Sequence, residues 1–146
     1  MSLEAALQAL LAEARRSGDY TALLAEIPYA RRLGFRARAT EDGVLVHLPF
    51  KPELVGNPAA PFIHGGVLGA CLEMAAALSL MQQGAKIWPR TIDFTVDYLR
   101  GAKPEDCHAR AEIVRTGRRV ANARMTCWQS GPERPVAVGR GNFQLV

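Results

Sequence analysis

Cysteine is scarce in this chain, and what there is has nothing to pair with. Cys71, Cys107 and Cys127 are odd in number, far apart and without a CxxC doublet. That excludes a disulfide framework or a zinc-ribbon spacing and suits reduced thiols in a cytoplasmic protein. Long runs of one charge are also missing. The net charge is +4, with arginines scattered along the sequence. Neither an aromatic ribonucleoprotein motif nor a zinc finger accompanies them, so nucleic acid is not an expected partner. No charged-then-apolar leader opens the sequence. The most apolar stretch, Val67 to Met81, is short and interrupted by Gly69 and Glu73, so no membrane partner is expected. The 146 residues, 49% of them hydrophobic, are enough for one domain with its own core.

Acid is rarest where the chain is most apolar. Glu73 is the only carboxylate between Glu53 and Asp93, and it lies inside HGGVLGACLEMAAALSLM, His64 to Met81. A charged side chain is seldom buried unless something binds it, pairs with it or uses it. Nine residues before it, His64-Gly65-Gly66 opens a predicted helix that runs from about Gly66 to Gln83 and is closed by Gly84. That helix is apolar nearly all round and is expected to be buried on most sides. One sheet covers one side, and self-association is the economical cover for the rest.

The flanking pattern is mixed. Leu3 to Arg16 has helical spacing, and Asp19 or Thr21 would cap a short second helix through Ala25, ahead of Pro28. Phe35–Thr40 and Gly43–Pro49 read as strands joined at Asp42-Gly43. Lys51 to Ile63 holds three prolines and reads as a loop. After the helix, Ile92, Phe94, Val96 and Tyr98 alternate with Thr91, Asp93, Thr95 and Asp97. Further strands are predicted over about His108–Arg115, Val120–Gln129 and Pro135–Val146. Two strands, a buried helix and four more strands predict an α+β fold, the helix laid across one curved sheet.

Asn57, His64-Gly65-Gly66, Glu73 and the stretch TIDFTVDYLR from Thr91 to Arg100 together resemble the hotdog-fold acyl-CoA thioesterases of the PaaI-like, phenylacetate-pathway type. The resemblance covers about Ile27 to the C-terminus, making residues 27–146 a hotdog thioesterase domain and 1–26 an N-terminal helical extension. It implies about six antiparallel strands wrapped around one long central helix. It also implies hydrolysis of acyl-CoA to free acid and coenzyme A, with no metal and no cofactor beyond the coenzyme A of the substrate. Sites shared between two subunits imply a homodimer, and a tetramer built from two such dimers. By the same resemblance the Gly66 N–H is the oxyanion donor, His64 holds the helix start or the thioester oxygen, and Asn57 positions water or Glu73. Some members carry a Ser or Thr one turn after the carboxylate, where this chain has Ala77.

Physical chemistry fits that chemistry to these residues. Gly65 and Gly66 let a carbonyl approach their N–H groups closely, at a helix start where such groups are unpaired and the dipole is positive. Losing one oxyanion donor costs about 3 kcal/mol in other acyl-transfer enzymes. Glu73 would act on the thioester carbon as general base for water or as nucleophile. Gly66 and Glu73 are seven residues apart, about 10 Å along one helix. Pairing Gly66 of one chain with Glu73 of another would close that gap. Arg115, Arg118 and Arg119 flank a tight turn and, with Arg100 and Lys103, are candidates for the phosphates of coenzyme A. Two other readings stand beside it: a hotdog dehydratase for hydroxyacyl thioesters, which an acid nine positions after HGG fits less well, and a non-catalytic acyl-CoA binding protein, which Glu73 does not discriminate and a turnover assay decides.

Overall fold

The computed structural model describes residues 1–146. Three helices come first, α1 (Leu3–Ser17), α2 (Thr21–Ala25) and α3 (Pro28–Leu33). The Ser2 hydroxyl accepts from the Ala5 N–H at the start of α1, and Gly18 closes it with φ 81°. Pro28, expected to follow the last helix of this region, instead opens α3. A proline at the first helical position loses no hydrogen bond, so it starts a helix as readily as it ends one.

Strands β1 (Arg36–Thr40) and β2 (Gly43–Leu48) form the expected hairpin. The proline-rich segment is not a plain loop: after one turn of 3₁₀ helix, β3 (Val55–Asn57) and β4 (Ala60–Ile63) pair as a small separate hairpin. Pro58 falls in its turn, and with only two strands Pro61 has an unpaired side to face. Then come α4 (Gly65–Gln82), β5 (Arg90–Tyr98), β6 (Cys107–Thr116), β7 (Val120–Trp128) and β8 (Pro135–Gln144). The main sheet is antiparallel in the order β1-β2-β6-β7-β8-β5, leaving β5 as an edge.

Alternation along β6 and β7 turns alanines, cysteines and Met125 inward and charged residues outward. The small inner side chains let the sheet curl closely around α4, which packs mainly on β2, β6 and β7. Leu11 and Leu24 of the N-terminal helices share one continuous core with Val44, Leu72 and Phe143. Arg15 of α1 donates through Nη2 to the carbonyls of Met81 and Ala85 at 2.6 and 3.3 Å. A guanidinium there supplies positive charge and further donors at the C-terminal end of α4, the negative end of its dipole.

A single chain covers more of α4 than its composition suggests: thirteen of its eighteen residues are buried. Its length and mean hydropathy of 1.3 would suit a bilayer, but 72% of it lies inside the fold. Of the other five, Gly65 and Gln82 lie at the two ends, and Gly66, Ala70 and Glu73 form a narrow stripe, which at spacings of four and seven falls on one face. On the outer surface of the sheet, the rings of His47 and His108 stack at 4.8 Å, and Trp128 continues the row.

Candidate active site

α4 begins under tight local control. His64 is its N-cap: Nδ1 accepts from the Gly66 N–H at 2.9 Å, and the His64 carbonyl accepts from Val67 and Leu68 at 2.9 and 3.3 Å. The approach to the helix is pinned by Ile63 N–H to the Ala102 carbonyl and His64 N–H to the Leu54 carbonyl, at 2.9 and 2.8 Å. The expected oxyanion donor, the Gly66 N–H, is thus engaged by His64. The Gly65 N–H, first in the helix, and the His64 Nε2 bond to nothing within the chain.

Strand β5 lies along α4 and meets it at three places. The Tyr98 hydroxyl donates to the Gly65 carbonyl at 2.8 Å. Phe94 packs beside Gly69. Thr91 Oγ1 donates to Glu73 Oε2, also at 2.8 Å. The strict alternation expected here fails at its start, because the pairing of β5 with β8 shifts between Thr91 and Asp93. The bulge skips Ile92 and turns Thr91 to the same side as Phe94 and Tyr98, toward the helix. Glu73 is half-buried, and Ala77, where relatives of the resembled type can carry a hydroxyl, is fully buried. The hydroxyl beside this carboxylate comes from β5.

The other expected residues fall in separate places. Asn57 Oδ1 accepts from the Ala59 N–H at 3.0 Å; it holds its own hairpin turn and bonds neither His64 nor Glu73. Arg100 and Lys103 follow β5 at the Tyr98 end, both exposed, with the Lys103 backbone held by Gln129. Arg115, Arg118 and Arg119 gather with Asn122 and Asn142 around an outer-face cleft of about 500 Å³. A polar chain ties that cleft to β5, with Asn122 donating to Asn142 and Asn142 to Asp93, each at 3.0 Å. The five basic residues therefore form two groups at opposite ends of β5.

Thr91 and Tyr98 are the residues that sequence reasoning passed over. Both lie in the stretch TIDFTVDYLR, where they read only as members of a strand pattern. The three cysteines converge in the core, all buried. A hydrogen bond with Cys127, together with burial, pushes the Cys107 thiol far up. Cys107 pulls Cys127 the other way, but Cys71 and burial outweigh it. Neither Cys107 nor Cys127 is poised as a thiolate nucleophile.

Residues 55–144 match the family described as the acyl-CoA thioesterase N-terminal domain. The medium/long-chain acyl-CoA thioesterase YigI of Escherichia coli is 33% identical over 117 residues, covering 68% of this chain and 74% of YigI. A Shewanella oneidensis protein related to the thioesterase superfamily superimposes with a TM-score of 0.77 at 26% identity, over 93% of this chain and 97% of that one. A mutant form of the phenylacetic acid degradation protein PaaI of Thermus thermophilus shares the fold at a TM-score of 0.70 and 23% identity, over 82% and 99%.

Proposed function

The chain belongs to the hotdog-fold acyl-CoA thioesterases, and from that premise we propose how its residues hydrolyse an acyl-CoA thioester to the free acid and coenzyme A. The observation that carries the proposal is the carboxylate of Glu73, held by Thr91 on the one uncovered stripe of α4, the stripe that also holds Gly66. With Oε2 taken by Thr91, Oε1 keeps a lone pair for a water proton. Water loses that proton to Glu73 and adds to the thioester carbon; the carbon–sulfur bond breaks, and the departing thiolate takes up a proton. The thioester oxygen, negative in the tetrahedral stage, sits at the positive start of a helix α4, beside the His64 Nε2–H and the Gly65 N–H.

The helix that supplies those donors belongs to a second copy. Two antiparallel α4 helices crossing between Gly69 and Ala70 set Gly66 of each opposite Glu73 of the other, and the small side chains there let backbones approach. The free edge of β5, its exposed Ile92 and Tyr98, and Leu99 just beyond it support the same contact. A bare strand edge with apolar side chains is a template for pairing. A dimer with two composite sites follows, and two dimers would make a tetramer.

Asn57 and the two arginine and lysine groups are proposed as contacts for water and for the coenzyme A phosphates. A medium or long acyl chain is the proposed substrate, by likeness to YigI, and the reaction needs no cofactor. The three unpaired thiols support a cytoplasmic setting. The test is a panel of short, medium, long and aromatic acyl-CoAs scored by thiol release, with wild type and Glu73→Ala side by side. The variant should fold and dimerise yet lose hydrolysis; release at the wild-type rate would remove Glu73 from the reaction. Single turnover in oxygen-18 water should label the acid product, whereas an unlabelled first product would make Glu73 the nucleophile.

A further inference from the structure

We infer that Tyr98 is a positioning residue for this reaction, fixing the tautomer of His64 through the peptide that joins Gly65 to Gly66. The inference rests on the reading of the helix start as the seat of the thioester oxygen. That one peptide is held at both ends: its carbonyl, on Gly65, accepts from the Tyr98 hydroxyl at 2.8 Å, and its N–H, on Gly66, donates to His64 Nδ1 at 2.9 Å. A backbone N–H can only donate, so Nδ1 carries the lone pair and the proton of the neutral imidazole lies on Nε2.

The chain of bonds runs in one direction, from phenol O–H to carbonyl, and from N–H to imidazole. Hydrogen bonds in series polarise one another, so the Tyr98 hydroxyl makes the Gly66 N–H a stronger donor and favours the imidazole form with its proton on Nε2. That leaves an N–H at the helix start which no group of the chain accepts. A carbonyl oxygen gaining negative charge needs such a donor, and one held ready costs no reorganisation when the charge develops.

The two glycines give these rings their places. A Cβ on Gly65 would lie 3.1 Å from Tyr98 Cζ and 3.2 Å from its hydroxyl oxygen, and a Cβ on Gly66 would lie 3.0 Å from His64 Nδ1. Tyr98 is 55% exposed in the single chain, and a phenylalanine ring would serve the proposed dimer contact as well, so ring cover alone gives a weak reason for a tyrosine. The hydroxyl, bonded to the carbonyl of the first helical residue, gives a specific one.

The test uses the full-length protein and Tyr98→Phe, which keeps the ring. Its kcat should fall about five- to tenfold, the effect of one ordinary hydrogen bond, with KM unchanged within about twofold and the oligomer intact. Nitrogen-15 NMR of His64 should show the Nε2–H tautomer in wild type and a mixture of tautomers in the variant. In a His64→Ala background, Tyr98→Phe should have no further effect on kcat, because the two act as a unit. Wild-type kcat, an unchanged His64 signal, a full additional loss in the His64→Ala background, or dissociation of the oligomer would each overturn the inference. Glu73→Gln is assayed alongside. If that variant keeps wild-type turnover, the reading of the site itself fails; if it is dead while Tyr98→Phe is unaffected, only the role of Tyr98 falls.

Discussion

The hydroxyl of Thr91 holds the carboxylate of Glu73 at 2.8 Å, so the first residues of an edge strand set the orientation of an acid in the middle of a core helix. A hydrogen bond to a charged group is worth about 1.5–3 kcal/mol. Thr91→Val keeps the shape and removes the donor, and kcat should fall roughly ten- to a hundredfold. Thr91→Ser should retain most of the rate. Equal turnover of the valine and wild-type enzymes in a thiol-release assay would show that Glu73 needs no such support.

The arginine cleft can be tested apart from the chemistry. Reversing Arg118 and Arg119 to Glu should raise KM for acyl-CoA about tenfold through lost attraction to the phosphates, with kcat held. An acyl-pantetheine, which lacks the nucleotide phosphates, should show no change. Added salt should weaken acyl-CoA binding in wild type more than in the variant. A KM that rises equally for both substrates would mean that the arginines shape the fold instead.

Gly141 of β8 controls how closely β5 sits. A Cβ there would lie 2.8 Å from both the Asp93 carbonyl oxygen and Phe94 Cβ. Gly141→Ala should therefore push the edge strand away, costing about 1–3 kcal/mol and lowering Tm by roughly 3–10 °C. The dimer contact proposed along β5, read by light scattering, should weaken with it. An unchanged melting curve would show that β5 has slack the packing does not suggest.

Acid should destabilise the protein through the outer-face ring stack. Burial, then the neighbouring His47 and Arg38, hold His108 below its ordinary value, only partly offset by Asp106. The folded state thus binds fewer protons than the unfolded chain, and stability is lost as pH falls below the unfolded value, about 6.5. Asp106 is held low by the Phe50 N–H and by His47, so its contribution persists to more acidic pH and is lost only as its own carboxylate is protonated. His108→Phe removes the titrating ring and its buried, unbonded Nδ1. Its Tm should drop less between pH 7.5 and 5.5 than that of wild type; parallel profiles would exclude His108 as the cause.

The elements that could be read from sequence are those whose own residues carry the signal. α4 announces itself as an apolar run opened by His64-Gly65-Gly66 and closed by Gly84, β5 by its alternation, and Glu73 by its isolation among apolar neighbours. α3 did not, because Pro28 marks a helix start and a helix stop alike. The β3–β4 hairpin was hidden by its prolines, which a two-stranded ribbon tolerates. The bulge at Ile92 left no trace in an alternation that continues unbroken in the sequence while the pairing slips. Thr91 and Tyr98 were invisible as site residues for a related reason. Each acts across a strand–helix contact, and neither residue type nor spacing shows which helix atom it will touch. The N-cap of His64 takes the Gly66 N–H through a side-chain angle that sequence does not encode directly.

Cys71, Cys107 and Cys127 are no more than 1% exposed, and the thiols of Cys107 and Cys127 are held firmly in the protonated form. For anyone measuring this enzyme that burial has a practical value. A disulfide dye added to the folded protein will find no protein sulfur to react with, so its colour counts released coenzyme A alone. The same dye becomes an unfolding clock, since protein sulfur will react only when the sheet opens around α4.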